Sequence, residues 1–419
     1  MQRIFSVFLL ALILIAGQPL IVSAQEEAKV SVLVDGSPLY LEVLPVIQND
    51  RILVPFRAIA EAINIQVSWD DQTRTINGTD GKTTVSLQLD NPVAYRNDTS
   101  INMEVAPQIV EGRTLIPLRF FSEAFDCQVF WDGNMYQASI TSPNRAMTVI
   151  GFYALGDSQT SSWTDLFGQV YPDASIGNTD VISELALGWY SIDKEGNLLE
   201  QSRTGWQRPE GWEKVLNTAQ QYDLTSEMVV HVTDGDGSLT ALLSDSEAMK
   251  RAARAISKEA RQYSGVNLDF EGLGFQDSGE KLQQVQQRFT NFAALLNQEI
   301  KAQGSGLTLT LHAPNSAYPG YDYTYLGQIA DRIIIMAYDY GPRPEPVSQV
   351  EQAVKMACST VPAHKLLLGI SAPSETADSI DAKIDIAKRY DLGGIALWRL
   401  GVINDGMWQT LRASLHGER

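Results

Sequence analysis

Downstream of about residue 146, short runs rich in Val, Ile, Leu and aromatic residues alternate with longer stretches that are apolar only at helical spacing. The runs begin at Thr148, Val181, Met228, Gly265, Leu307, Arg332, Lys365 and Gly394. Between them lie amphipathic segments such as SEAMKRAARAISKEARQY from Ser246 and KLQQVQQRFTNFAALLNQEI from Lys281. Eight strands alternating with helices predict an α/β class built of parallel units. Residues 147–419 number 273, close to the ~250 of a (β/α)8 TIM barrel. An open doubly wound sheet is the alternative, and the lack of a Gly-rich phosphate turn counts against it.

Residues 25–142 read differently, as short alternating strands broken by turns such as Asp35-Gly36 and Asn77-Gly78. RILVPFRAIAEAINIQVSWDD from Arg51 returns as RTLIPLRFFSEAFDCQVFWDG from Arg113, at a constant offset of 62 and without gaps. Such a match predicts two copies of one supersecondary unit: a strand into Pro, a short helix, and a strand ending in Trp-Asp. A smaller β-rich α+β domain made of two repeats therefore precedes the barrel. Arg57 and Glu61, like Arg119 and Glu123, stand four apart and are expected to pair on their helices. Cys127 takes the place of Ile65 and is expected to be a buried apolar filler. Trp69 and Trp131 suit closing each repeat's core better than serving as sugar platforms.

The ends and the charge narrow the function. Residues 1–24 join one basic residue, Arg3, to an apolar run from Ile4 to Ala16 and the small-residue site Val22-Ser23-Ala24. That is the layout of a secretory signal peptide, the run being short of the ~20 residues of a membrane span. The expected location is outside the cell, secreted or held at its surface, with no retained membrane span. The formal net charge of −18 becomes −19 once Arg3 is lost, so nucleic acid is an unsuitable partner. Two cysteines exclude a disulfide framework. The four histidines show no ligand spacing, so neither a metal nor another cofactor is expected.

The chemistry concentrates in Gly265-Val266-Asn267-Leu268-Asp269-Phe270-Glu271. On a strand, Asn267, Asp269 and Glu271 share one face and Val266, Leu268 and Phe270 the other. Residues two apart stand about 7 Å from each other along the backbone, close enough for the charge on Asp269 to help keep Glu271 a proton donor. A buried ion-pair network with barrel arginines would be the purely structural role for such acids, but no strand-interior Arg or Lys is identifiable in the sequence. Barrels carry their active sites at the C-terminal ends of the strands. There fall Tyr153 on the first strand, Trp189 on the second, Met336, Tyr338 and Asp339 on the sixth, and Trp398 on the eighth.

These residues carry a resemblance. The barrel half resembles the family-18 glycoside hydrolases, whose fourth strand ends Asp-Gly-x-Asp-x-Asp-x-Glu and whose sixth carries Met-x-Tyr-Asp. Here the runs are Ser264-Gly265-Val266-Asn267-Leu268-Asp269-Phe270-Glu271 and Met336-Ala337-Tyr338-Asp339, with Gly393 to Trp398 similar to the eighth strand. The branch it looks most like includes spore-cortex-lytic N-acetylglucosaminidases. The resemblance implies Glu271 as general acid and then base, Asp269 holding the substrate's N-acetyl group, and Tyr338 hydrogen-bonded to that group's carbonyl oxygen. It further implies Trp398 as the sugar floor. Asn267, Asp339, Met336, Tyr153 and Trp189 are candidate substrate contacts from their places on the strands, with ordinary packing the near-equal alternative for Trp189, Tyr153 and Asp339. Retaining glycosidases commonly need a carboxylate nucleophile about 5 Å from the acid, but this family borrows the substrate's own acetamido oxygen, so one Glu suffices.

The expected substrate is an N-acetylglucosamine polymer, whether peptidoglycan, spore cortex or chitin. A non-catalytic glycan-binding surface protein is the alternative. Ser264 and Asn267 depart from the family's two aspartates, and the stretch between Ser371 and Gly393 has room for one helix only, which predicts an open groove. The repeat segment resembles the domain named for the N-terminal part of copper amine oxidases, through Arg-x-Leu-Val/Ile-Pro-x-Arg and Trp-Asp in both copies. That implies a stalk or wall-associating module without copper, since no ligand set for that metal is present.

Overall fold

The computed structural model describes residues 29–63, 65–80, 83–143, 147–154, 160–201 and 205–415. The expected signal peptide lies outside them, and no helix among the described residues is long and apolar enough to cross a membrane.

The eight predicted strands form, as β1 (Thr148–Tyr153), β2 (Glu184–Ile192), β3 (Thr225–Thr233), β4 (Gly265–Glu271), β5 (Gly306–His312), β6 (Arg332–Met336), β7 (Leu366–Ser371) and β8 (Gly394–Trp398). Each pairs in parallel with its sequence neighbours, and β1 pairs with both β2 and β8, closing the barrel. The period-2 pleat sorts the side chains. Leu185, Leu187, Val266, Leu268, Phe270, Leu307, Leu309, Ile333 and Ile335 turn outward into one apolar layer beneath the helices.

The alternate residues fill the interior in three layers. At the base Arg332 reaches Glu184 at 2.6 and 2.7 Å and Glu227 at 2.7 Å, while the Thr308 hydroxyl donates to Glu227 at 2.5 Å. A strand-interior arginine is thus present after all. It sits at the N-terminal end of β6, where it serves the base and not the acids at the mouth. Above it lies an apolar waist of Ile150, Ala186, Val229, Ile334, Leu367 and Ala396. The reactive residues crown that waist. Between β7 and β8 the chain forms one short turn and the helix Ala377–Arg389, with no inserted domain.

In the first segment the equivalent strands of the two copies, Arg51–Pro55 and Arg113–Pro117, pair antiparallel. Each runs through its Pro into a short helix, Phe56–Ala62 or Leu118–Ala124. Equivalent residues Val54 and Ile116, Ile59 and Phe121, Ile65 and Cys127, Ile76 and Ala138 meet in one core, so Cys127 does fill an apolar site. Both cysteines are free. Arg119 pairs with Glu123 at 3.2 Å, whereas the expected Arg57–Glu61 pair does not form. Trp131 packs on the core with its ring edge-on to Tyr136. Trp69 departs from expectation: it is 40% exposed and only its indole N–H is engaged, with Asp71 at 3.4 Å. The first segment begins with Ser31–Val34, which lies parallel to Gln137–Thr141 at the segment's far end.

Candidate active site

Strand β4 is locked from behind. Phe270 stacks on Phe292 of the helix Gly279–Lys301, ring centroids 5.5 Å apart at 12°, which leaves Asn267, Asp269 and Glu271 facing the pore. The chain leaving Glu271 is fixed as well. The Tyr321 hydroxyl donates to the Phe270 carbonyl at 2.7 Å and accepts from the Leu273 N–H at 3.3 Å. The Gly272 N–H donates to His312 Nε2 at 3.2 Å, so that nitrogen carries no proton. Burial pulls the His312 pKa down, consistent with that neutral form.

Asp269 is 2% exposed and its Oδ1 has no hydrogen-bond partner among the described residues. Burial and then the charge of Glu271 push its pKa up to about 8, with His231 pulling the other way. Asp269 therefore holds a proton at neutral pH. Glu271 Oε1 lies 3.3 Å from His231 Nε2. Burial lowers the His231 pKa, but the adjoining Glu271 carboxylate and the charge of Asp269 together outweigh it, and the net shift is upward. The donor atoms of His231, Asp269 and Glu271 all lie within 4.8 Å of one another. Histidine spacing along the sequence does not disclose this cluster, because it is assembled across two strands.

Tyr338 follows β6. Its phenol is pushed well up by burial and by the facing charges of Asp269, Glu271 and Asp339, so it remains a hydrogen-bond donor across the physiological range. Room for its ring comes from Gly369 on β7, where an added Cβ would stand 3.3 Å from the Tyr338 ring and 2.7 Å from the Ile335 carbonyl oxygen. The bend beyond Tyr338 puts Asp339 at φ 65°, and Glu345 holds it there. Its carboxylate accepts from the N–H groups of Asp339 at 3.0 Å and Tyr340 at 3.1 Å. The Glu345 carbonyl in turn accepts from Lys383 Nζ at 2.7 Å, and Lys383 pairs with Glu375 at 3.0 Å.

Asp269, Glu271, His312, Met336, Tyr338, Asp339 and Trp398 line a cavity of about 1190 Å³ at the C-terminal mouth. Trp398 stacks on Trp206 at 5.1 Å and 16°, with Phe152 edge-on to it at 5.2 Å. Trp206 fits because β2 carries Gly188, where a Cβ would fall 2.2 Å from the indole.

Three expected substrate contacts do not reach this cavity. Asn267 is fully buried one layer below Asp269, accepting from Thr310 Oγ1 at 2.8 Å and reaching Glu227 at 3.4 Å. The pleat puts it deeper in the pore, where it supports the strand instead of touching substrate. Tyr153 and Trp189 turn outward beneath the helices and meet each other edge-on at 6.3 Å. Phe152 and Gly188 take the inward positions beside them. The structure adds His231 and His312, and of the loop tryptophans Trp163, Trp206 and Trp212, which the sequence leaves unplaced, it brings Trp206 to the site.

Asp269 makes a testable contribution to stability. Its folded pKa of about 8 lies above the ordinary 3.8, so the folded chain binds more protons than the unfolded chain across that window. Stability is then lost as pH rises through it. Asp269→Asn cannot ionise and escapes the loss. Relative to wild type, its stability is expected to gain at least about 1 kcal/mol between pH 4 and pH 8.5, raising the melting temperature by about 2–4 °C for a domain of this size. A difference that does not change with pH would show that Asp269 is not buried with its proton.

Comparisons with known proteins match both segments of the chain. The Glycosyl hydrolases family 18 profile matches residues 233–376, and the Copper amine oxidase N-terminal domain profile matches residues 33–140. YdhD of Bacillus subtilis, whose name describes a sporulation-specific glycosylase, is 30% identical over 120 residues, 26% of this chain and 27% of that protein. The cortical fragment-lytic enzyme of Bacillus anthracis is 22% identical over 242 residues, 50% of this chain and 52% of that protein. The chain thus spans about a quarter and about half of these two relatives. The chitinase of Chromobacterium violaceum superposes with a TM-score of 0.54 at 20% identity, over 65% of this chain and 100% of its own, and shares the fold. The chain joins a copper amine oxidase N-terminal domain to a barrel of glycosyl hydrolase family 18, and is related in sequence to cortical fragment-lytic enzymes.

Proposed function

We propose that the protein hydrolyses an N-acetylglucosamine-containing polymer, peptidoglycan of the spore cortex or wall or else chitin, with retention at the anomeric carbon, and that it does so outside the cell. The observation that carries the reading is the convergence of Glu271, a proton-bearing Asp269 and the Tyr338 phenol on one open cavity at the barrel mouth. The sugar at the cleavage point lies against Trp398, and its acetamido oxygen attacks the anomeric carbon from within the substrate. Asp269 and Tyr338 hold that acetamido group. As the glycosidic bond breaks, Glu271, in the form in which the proton shared by the two carboxyls sits on it, gives that proton to the departing oxygen. It then takes a proton from the water that opens the cyclic intermediate. No second carboxylate nucleophile is needed. The relatives named for cortex lysis and the apolar leader of residues 4–16 support a wall polymer met outside the cell.

The test is parallel digestion of cortex, vegetative peptidoglycan, chitin and fully de-N-acetylated chitin, with new ends identified by mass. Cleavage of N-acetylated chains and none of the de-N-acetylated one is expected. Equal cleavage of both would sink the substrate-assisted step, and binding without new ends would make the protein a glycan-binding module.

A further inference from the structure

We propose that His231 is the positioning residue of this site: its Nε2–H holds Glu271 Oε1, aims the other carboxylate oxygen at the scissile bond, and stabilises the Glu271 anion between its two proton transfers. This rests on the hydrolytic reading above and assigns a part of the site that the reading leaves open.

The geometry is local and two-sided. In the β3–β4 register His231 stands directly beside Asp269, and its Nε2 lies 3.3 Å from Glu271 Oε1. Asn267, which occupies the inward position below Asp269, is already committed to Thr310 and Glu227, so it is not available to take up charge or a proton from above. The cations at the rim point elsewhere: Lys281 pairs with Asp277 at 2.5 Å, and Arg288 donates to Ser244 at 2.7 Å. The base-layer Arg332 is separated from the mouth by the apolar waist. Among the described residues His231 is the one basic side chain ion-paired to Glu271. The charged groups around it are Asp269 and Glu271 from β4 and, across a hollow of about 60 Å³ on its other side, Asp193 following β2.

The chemistry asks for such a group. When Glu271 releases its proton to the departing oxygen, a carboxylate is left in a partly buried place, where an uncompensated charge is costly. A basic ring whose Nε2 already stands 3.3 Å from Oε1 stabilises it with little reorganisation. Glu271 recovers its proton from water in the second step, so His231 makes no net transfer. Its upward-shifted pKa agrees with a contact that favours the charged ring.

His231→Ala is expected to lower kcat on the order of 10²-fold with KM changed less than about 3-fold. His231→Gln, which restores an N–H donor but not a titrating ring, is expected to recover most of kcat. In both variants, loss of a cation beside two carboxylates moves the alkaline limb of the kcat/KM profile to higher pH. Wild-type kcat and pH profile in His231→Ala would overturn the proposal, as would a Gln variant no better than Ala. NMR titration of the His231 ring provides a readout independent of substrate. Its midpoint is expected above 6.5 in wild type and lower in Glu271→Gln; an unchanged midpoint overturns the contact. If wild type cuts no glycan while that coupling is seen, the hydrolytic reading fails and the pairing stands; if wild type cuts and the coupling is absent, the reverse holds.

Discussion

Glu271→Gln is expected to lower the rate of glycan hydrolysis by about 10²–10⁴-fold, the range contributed by a positioned acid or base. Melting temperature is expected to stay level or rise. The substitution is isosteric, the side chain sits at a mouth that remains partly open to water, and the charge that presses on Asp269 is removed. Loss of both rate and folding would place Glu271 among the structural residues. Loss of neither would end the catalytic assignment. Measured by release of reducing ends alongside a thermal melt, the two outcomes separate in one preparation.

The second large effect lies away from the cavity. Lys383 and Glu375 are each 2% exposed and pair at 3.0 Å. Removing one partner of a buried pair leaves the other uncompensated, at a cost of about 3–5 kcal/mol. Lys383→Met is expected to lower the melting temperature by roughly 10 °C for a domain of this size. Lys383→Met with Glu375→Leu is expected to regain most of it, because an apolar pair of similar volume is often as stable as the buried ions it replaces. The double variant also isolates a functional link. Lys383 holds the Glu345 carbonyl, and the Glu345 carboxylate holds the bend after Tyr338. A refolded double variant that is stable yet slow would show that the bend depends on this tie. Full activity would show that Glu345 holds Tyr338 unaided.

The legible part of this molecule was whatever follows strand periodicity. Asp269 and Glu271 could be placed on one face because Val266, Leu268 and Phe270 mark the other so clearly. The same parity turns Phe152 inward and Tyr153 outward, and it turns Gly188 inward beside Trp189. Both aromatics were misassigned because size and position near a strand end suggested sugar contact. On β2 the register also slips between Leu187 and Tyr190, so that Trp189 and Tyr190 both join the layer under the helices. His231 was illegible for a different reason. Met228, Val229, Val230 and Val232 are apolar on both faces of β3, so nothing in that strand says which way the histidine points until its pairing with β4 is known. Arg332 opens its strand and reads as a boundary residue, yet its long stem carries the guanidinium back under the barrel to two acids that are distant in sequence. Trp206 lies on a loop, where no period operates.

The strand Ser31–Val34 has its parallel partner 106 residues further on, at Gln137–Thr141. Synthesis at 5–20 residues per second leaves it alone for roughly 5–20 s. The strands from Gln66 to Asn102 pair with one another in chain order, but the sheet that holds Ser31–Val34 is completed only by the last strand of the second repeat, so the segment's first and last strands act as a clasp.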